Sequence, residues 1–570
     1  MHEWIEKLKV FLDDPENRKK VSIGAAVGLV VLVIIIIVNL ATSSYPSKLY
    51  IDTVAVSLSE RVKVIEIAAP YYKNKIQHKT LTFYRNTDGK TKWLEYRKPT
   101  KSYDAFIEAV QNSEQYGLDP THYDLDPISK AVEKLYDEKD RTTDDVAELD
   151  IRITGSFFLF TTHLIEGRIR TASNGDFIWK RNTPAVDDIE LLVENSSGNL
   201  YEIIDELHPQ HEQYEKLRKA LKQYRSFDVN RSNKLATGLS AGIEPGEKHP
   251  AIPGLRRRLL LTDLEPYAMQ EDSMRYDEQL VDGVKQFQRR HGLTADGVIS
   301  ETTSRYLNQS FKEKIDLIAL NLERLRWLPL DYGDDYISIN VPEYLLRVYH
   351  NDKKKLEMKV VLGTEFNATP IFFDSLEYIV FNPTWTIPPG IMEDEVIPNL
   401  EEDPSHYDPK RFKIYKKGKV IDPEDEDWED KDLDLADYKV VEVPGPNNSL
   451  GKVKFIMPND FSIYLHDTPA DHLFKNKKRA YSHGCIRVEE PVVLAEYLLR
   501  DQHEWNESAI EEAMKGTESK TVNLKKKYHV QIEYRTVWVD DEGLLHFRED
   551  LYGYDKRQLR LMNKLEESTL

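Results

Sequence analysis

The chain has 570 residues, 40% of them hydrophobic and 10% aromatic, enough for a sizeable core shared among several domains. Its formal net charge of -20 argues against nucleic acid as a general partner, because a polyanion is repelled. A single cysteine leaves no zinc site of the cysteine-rich type, and the sequence has no Gly-rich phosphate loop of the Walker type.

The first predicted element is an apolar run, VSIGAAVGLVVLVIIIIVNL, from Val21 to Leu40. It carries no charge, and about 20 residues at about 1.5 Å each span a bilayer core. Arg18, Lys19 and Lys20 precede it and the next basic residue is Lys48. The positive-inside rule then places residues 1–20 in the cytoplasm and everything after the anchor at 21–40 outside it. A cleaved signal peptide is the alternative. Against it, the run is long and Ala41-Thr42-Ser43-Ser44 is the only candidate cleavage site.

Residues 45–250 read as a mostly helical domain. Tyr103 to Val110 has helical spacing and stops at Tyr116-Gly117-Leu118-Asp119-Pro120. Ile151 to Ile165 is a strongly apolar helix closed by Gly167, too short and too polar to cross a membrane. Residues 185–250 are polar, with helical patches and no readable role. Residues 251–308 form a small three-helix unit. Leu255–Leu261 is helical, Asp282–Leu293 is amphipathic with a glycine stop, and Ser300 caps a last helix. Within it, VKQFQRRHGLTADGVISETT resembles the helical peptidoglycan-binding module of wall enzymes.

Residues 309–330 read as a connecting helix. From Tyr336 the period changes to two: YISINVPEYLLRVYH, KKLEMKVVLG and LEYIVFNPTWTIP read as strands, and VKFIMP and SIYLHD as two more. Pro491 to Arg500 reads as a helix. YHVQIEYRTVWVD and LLHFRED read as a closing hairpin around Glu542-Gly543. The unit 331–560 is thus mainly β. Residues 394–445 interrupt it, and their acidic stretch 422–437 lacks the spacing of a calcium loop. It reads as a solvated, mobile surface segment within an insertion of the kind that forms lids.

Cys485 lies in Tyr481-Ser482-His483-Gly484-Cys485-Ile486-Arg487-Val488. A lone thiol in an exported chain is either an inert buried residue or a nucleophile. Small, polar, flexible neighbours favour the nucleophile, and a nearby imidazole is expected to lower its pKa and hold it as thiolate. Two histidines qualify as its partner, His466 in Tyr464-Leu465-His466-Asp467-Thr468 and His483. Spacing alone does not choose between them.

The run from His466 to Ser482-His483-Gly484-Cys485 resembles the signature of L,D-transpeptidases. NPTWTIPPGIMEDEVIP, PGPNNSLGKVKF and SIYLHDTP are similar to the large, membrane-anchored, lid-bearing subgroup of that family, and FYRNTDGKTKWL and YGLDPTHY to its helical scaffold domain. The resemblance implies a multidomain α+β chain: a transmembrane helix, a helical scaffold, a three-helix wall-binding domain and a mainly β catalytic domain with an inserted lid. It implies Cys485 as nucleophile, His466 as base and the Asp467 carbonyl as the group that sets the histidine tautomer. Backbone N–H groups at Gly484 and Cys485 would form the oxyanion hole. Ser482, His483, Gly484, Arg487, Tyr464 and Trp385 would border the substrate. Arg487 either braces the loop, binds a substrate carboxylate, or pairs with Glu489 or Glu490 at the surface. Tyr464 and Trp385 either line the cleft or pack in the core.

The implied reaction is acyl transfer from a peptidoglycan stem tetrapeptide to an amine, giving 3→3 cross-links without metal or organic cofactor. The implied location is the periplasmic face of the cytoplasmic membrane, with wall synthases as partners and carbapenems as acylating agents. An L,D-carboxypeptidase or wall hydrolase of the same fold is the near alternative. A non-catalytic wall-binding scaffold and a redox sensor built on Cys485 are the distant ones.

Overall fold

The computed structural model describes residues 73–567 except 96, 139–141, 170–178, 181–187, 195–199, 228–241, 264–273, 330–331 and 431–432. The tail at 1–20 and the anchor expected at 21–40 lie outside the described residues. Among the described residues no helix is long and apolar enough to cross a membrane. The chain divides into two units. One comprises residues up to Asn112 with Pro120–Thr161 and Asp187–Asp205; the other comprises Ser113–Asp119, Thr162–Val186 and Glu206–Leu570.

The first unit is helical, as its sequence pattern predicts. Its helices include Lys73–Asn86, Lys101–Gln111 and Leu125–Asp137, with much of the longer Thr143–Glu166. Phe106, Phe157 and Trp93 form its aromatic centre, with ring centroids 5.3 to 5.7 Å apart. Asp150 is fully buried there and accepts hydrogen bonds from the Tyr84 hydroxyl and the amides of Lys92, Trp93 and Leu94 at 2.6 to 3.0 Å. Three of these four donors are backbone amides, so one carboxylate satisfies a loop that has little regular structure of its own.

In the second unit the helices follow local capping chemistry. Asp277 caps Glu278–Arg290, Ser300 caps Glu301–Leu307, and Ser310 with Glu313 forms a capping box at the start of Phe311–Leu325. Ile252, Leu255, Leu280, Val284, Phe287 and Leu307 bury the core of the three-helix region.

The β region contains β1 Asp335–Asn340, β2 Leu345–His350, β3 Lys353–Gly363, β4 Phe373–Phe381, β5 Trp385–Thr386, β6 Phe412–Lys416, β7 Lys419–Ile421 and β8 Tyr438–Glu442. It continues with β9 Val453–Ile456, β10 Leu465–His466, β11 Ala480–Ser482, β12 Ile486–Val488, β13 Lys520–Glu533, β14 Val537–Val539 and β15 Leu545–Phe547. The large sheet runs β11-β3-β12-β10-β9-β4-β13-β1-β2, and β2 also pairs with β3, so the order closes on itself. Alternation sends Ile337, Ile339, Leu346, Val348, Val453, Phe455, Leu465, Ile486, Val530 and Ile532 into one core.

Two sequence expectations need correction. The run YHVQIEY is not one arm of a terminal hairpin. It belongs to the 14-residue β13, which pairs antiparallel with β4 and parallel with β1. Only β14 and β15 form the hairpin around Glu542-Gly543. The insertion is also more ordered than its acidic composition suggests. Its strands β6, β7 and β8 join β5, which precedes it, in a separate sheet, β5-β8-β6-β7, over a small core that includes Val396, Leu400, Ile414, Trp428 and Val440. Within the acidic stretch Trp428 is 3% exposed and donates to the Pro423 carbonyl at 2.8 Å, while Glu426 is held by Lys416 at 2.6 Å.

Candidate active site

β10 and β12 run parallel, with Leu465 opposite Ile486 and His466 opposite Arg487; β9 runs antiparallel to β10 and places Lys454 opposite His466. Leu465, Ile486, Val453 and Phe455 face the core. The alternate residues therefore share the other face, where Lys454, His466 and Arg487 form one cross-strand row. Tyr464 lies two positions before His466 and Cys485 two positions before Arg487, on that same side.

The loop Ser482-His483-Gly484-Cys485 joins β11 to β12. Ser482 is buried; its hydroxyl donates to the Cys485 carbonyl at 2.6 Å and accepts from the Gly484 amide at 3.2 Å. Gly484 has φ +116°, a conformation that favours glycine, and its carbonyl accepts from Thr369 Oγ1 at 2.8 Å. Thr369 in turn accepts from the Gly363 amide at 3.0 Å. The Gly484 N–H is thus engaged inside the loop and does not stand ready as the oxyanion donor expected of it.

His466 is 4% exposed, and its Nδ1 lies 2.6 Å from the Asp467 carbonyl oxygen. A carbonyl only accepts, so Nδ1 carries the proton and Nε2 is left as a proton acceptor. The Asp467 carboxylate turns elsewhere and accepts from the amides of Lys452 and Thr468, each at 2.7 Å. Burial, then Arg487, pushes the His466 pKa down to about 3, with Lys454 adding to the effect.

Cys485 corrects one expectation. Burial raises its thiol pKa despite hydrogen bonds from the Tyr464 amide and hydroxyl and the charges of Arg487 and Lys454. The thiol and the imidazole on this face therefore both rest neutral, with no preformed thiolate. The sulfur sits 3.9 Å from the Ser462 carbonyl, and Ser462 itself has φ +56°.

Trp385 reaches Tyr464 through a side-chain hydrogen bond, and Tyr464 lies with its ring 5.8 Å from that of His466. Tyr464 borders the thiol, and Trp385 stands behind Tyr464. Arg487 does not pair with Glu489, which is held by Lys359 at 2.8 Å. The Arg487 Nε is buried and has no hydrogen-bond partner among the described residues. His483 points away from the pair and meets Glu395 of the insertion at 2.6 Å, with both side chains about half exposed. Lys454 was missed in the sequence. Its signal was the alternation of VKFI, which turns the lysine out on the strand beside His466.

Residues 334–521 match the model of an L,D-transpeptidase catalytic domain, the span that holds the cysteine loop and His466. The chain carries an L,D-transpeptidase domain. Residues 78–221 match a scaffold domain, and residues 258–307 match a "Putative peptidoglycan binding domain". A Haemophilus influenzae protein described as "Putative L,D-transpeptidase" is 34% identical over 245 residues, 43% of this chain and 49% of that protein. The match thus spans about half the length of that curated relative.

Among solved structures, an L,D-transpeptidase from Mycobacterium smegmatis is 10% identical, with 35% of this chain and 58% of that chain covered at a TM-score of 0.18. One from Xylanimonas cellulosilytica is 11% identical, with 52% and 99% covered at a TM-score of 0.16. The placement of the transpeptidase domain in its family rests on the sequence match rather than on these superpositions.

Proposed function

We propose that the protein is a peptidoglycan L,D-transpeptidase with Cys485 as nucleophile and His466 as general base. The observation that carries this reading is the Nδ1 contact of His466 with the Asp467 carbonyl at 2.6 Å, which leaves Nε2 free to take a proton on the face that bears the thiol. Because both groups rest neutral, proton transfer accompanies attack. Nε2 takes the thiol proton as sulfur bonds to the carbonyl carbon of the third stem residue. The terminal D-Ala leaves as an amine that receives that proton, and a thioester remains. An amine of a neighbouring stem then attacks the thioester and the thiol is restored, giving a 3→3 link.

Arg487 and Lys454 flank the pair and suit a stem carboxylate. The remaining oxyanion donor of the loop is the Cys485 amide, and one such donor is worth about 3–4 kcal/mol in the transition state. The insertion, tied to the loop through Glu395 and His483, acts as a lid that shields the thioester from water. We place the anchor at 21–40 in the cytoplasmic membrane with the catalytic domain in the periplasm, and carbapenems acylate Cys485.

The test is incubation of residues 45–570 with disaccharide-tetrapeptide, read by mass spectrometry with Cys485→Ala beside it. Dimers lighter by one D-Ala, absent from the variant, are expected. Tripeptide alone would make the protein a carboxypeptidase, and no Cys485-dependent product would overturn the catalytic reading.

A further inference from the structure

A cavity of about 710 Å3 lies on the second unit, within the ~300–1,000 Å3 range of small-ligand sites. Its floor is one face of β13, β1 and β2. Register places Ser338 beside Gln531 and Arg347, and Tyr336 beside Tyr349. The alternate residues Ile337, Val348 and Val530 serve the apolar core, so this face presents the polar half of the pattern. It does not include Cys485, in the loop before β12, or His466 on β10; β3 separates β12 from β2, and β9 and β4 separate β10 from β13.

Three features point to a ligand. First, the polar floor is hidden: Ser338, Gln531 and Glu533 are 4 to 5% exposed. Glu533 is satisfied by Arg535 at 2.8 Å and by Ser338, but Gln531 Oε1 has no partner among the described residues, a costly state for a buried acceptor. Second, Tyr332, Tyr336 and Tyr349 stack in a column along the wall, with centroids 4.9 and 4.8 Å apart. His211 lies 5.4 Å from Tyr332; its Nε2 is also buried and unpartnered, and burial lowers its pKa. Third, the lining carries more carboxylates than cations, and its two arginines are already neutralised, Arg347 by Glu343 and Glu357 and Arg535 by Glu533. Anionic ligands such as phosphates or stem-peptide carboxylates are disfavoured.

Ring surface beside the unpartnered amide oxygen of Gln531 and a floor whose charges are already paired matches a pyranose, which has an apolar C–H face and equatorial hydroxyls or amides. We propose that this cavity is a saccharide-binding site, with Gln531 Oε1 accepting from a sugar hydroxyl or acetamido N–H. That the saccharide is the wall's own amino-sugar strand rests on the transpeptidase reading. The site would hold the glycan while the stem reaches Cys485.

The test titrates the N-acetylglucosamine tetramer, which has neither charge nor stem peptide, into the full chain by calorimetry. Gln531→Leu and Tyr349→Leu are measured beside the wild type. Thermal melting and carbapenem acylation of Cys485 report separately on folding and on the catalytic reading. The wild type is expected to bind, and each variant to bind roughly tenfold more weakly, the loss of about one buried hydrogen bond or one ring contact, with acylation unchanged. Equal affinity in wild type and variants would place saccharide binding elsewhere, the region 258–307 included, and overturn the proposal. So would an absence of wild-type binding. Loss of acylation in the wild type would defeat the catalytic reading and leave the binding result standing.

Discussion

At the residue scale the decisive arrangement is the row Lys454–His466–Arg487. Burial, reinforced by the two flanking cations, holds the imidazole neutral, with its pKa down at about 3. An ordinary imidazole, with pKa about 6.5, would lose roughly thirty-fold of its base form between pH 7.5 and pH 5. Because the His466 pKa is depressed, protonation sets in only as pH falls toward 3, so carbapenem acylation of Cys485 is expected to stay nearly flat from pH 7.5 to pH 5. Arg487→Leu removes the larger of the two charge effects and should move the acid limb to higher pH. A stopped-flow pH profile measures both, and a wild-type limb near 6.5 would refute the depressed pKa of His466.

Gly451 offers a second residue-scale test. Its φ is +60°, and a Cβ there would collide with the Asp467 carboxyl. Asp467 carries the carbonyl that orients His466, so Gly451→Ala should lower acylation by about a hundredfold, the usual consequence of a displacement of about 1 Å in a catalytic group. Melting should show the variant still folded. Normal acylation by Gly451→Ala would mean that the orientation of His466 does not depend on Asp467.

At the element scale, the motif residues were legible but their surroundings were not. Cys485, His466 and the Asp467 carbonyl were named through resemblance to a family signature carried by short runs of chain, and the fold sets His466 Nδ1 on that carbonyl. Lys454 and the position of β13 did not, because strand partners are chosen by contacts across the fold. The insertion shows the same limit. Its acids are conspicuous in the sequence, yet Trp428 and its neighbours give it a core. Trp428→Ala should cost about 3–5 kcal/mol of local stability. Hydrogen exchange should then quicken over β5 to β8 and stay slow over β1 to β4. Uniform loss across both sheets would show that the insertion is not a separate cooperative element.

At the scale of the whole molecule, the second unit joins two regions through specific contacts. Arg290 pairs with Asp263 at 2.6 Å and donates to the Leu545 carbonyl at 2.5 Å, while Arg548 donates to the Arg290 carbonyl at 3.0 Å. The His291 and Phe547 rings stack at 5.1 Å. The three-helix region is thereby fastened to the hairpin β14–β15. The anchor proposed at 21–40 belongs to this scale too. The full chain is expected in the membrane fraction of expressing cells and residues 45–570 in the soluble fraction. Recovery of the full chain in the soluble fraction would refute an uncleaved anchor.

The sequence by itself determined what depends on neighbours along the chain: the apolar run at 21–40, the helix caps at Asp277, Ser300 and Ser310, the strand alternation and the Ser-His-Gly-Cys loop. Tertiary structure decided what depends on register and burial: the closure of the sheet, the order within the insertion, the cations beside His466 and the polar cavity at Gln531. It also reversed the expected direction of the Cys485 pKa. A thiolate is favoured by nearby charge, which a motif suggests, but opposed by desolvation, which only the packed fold sets.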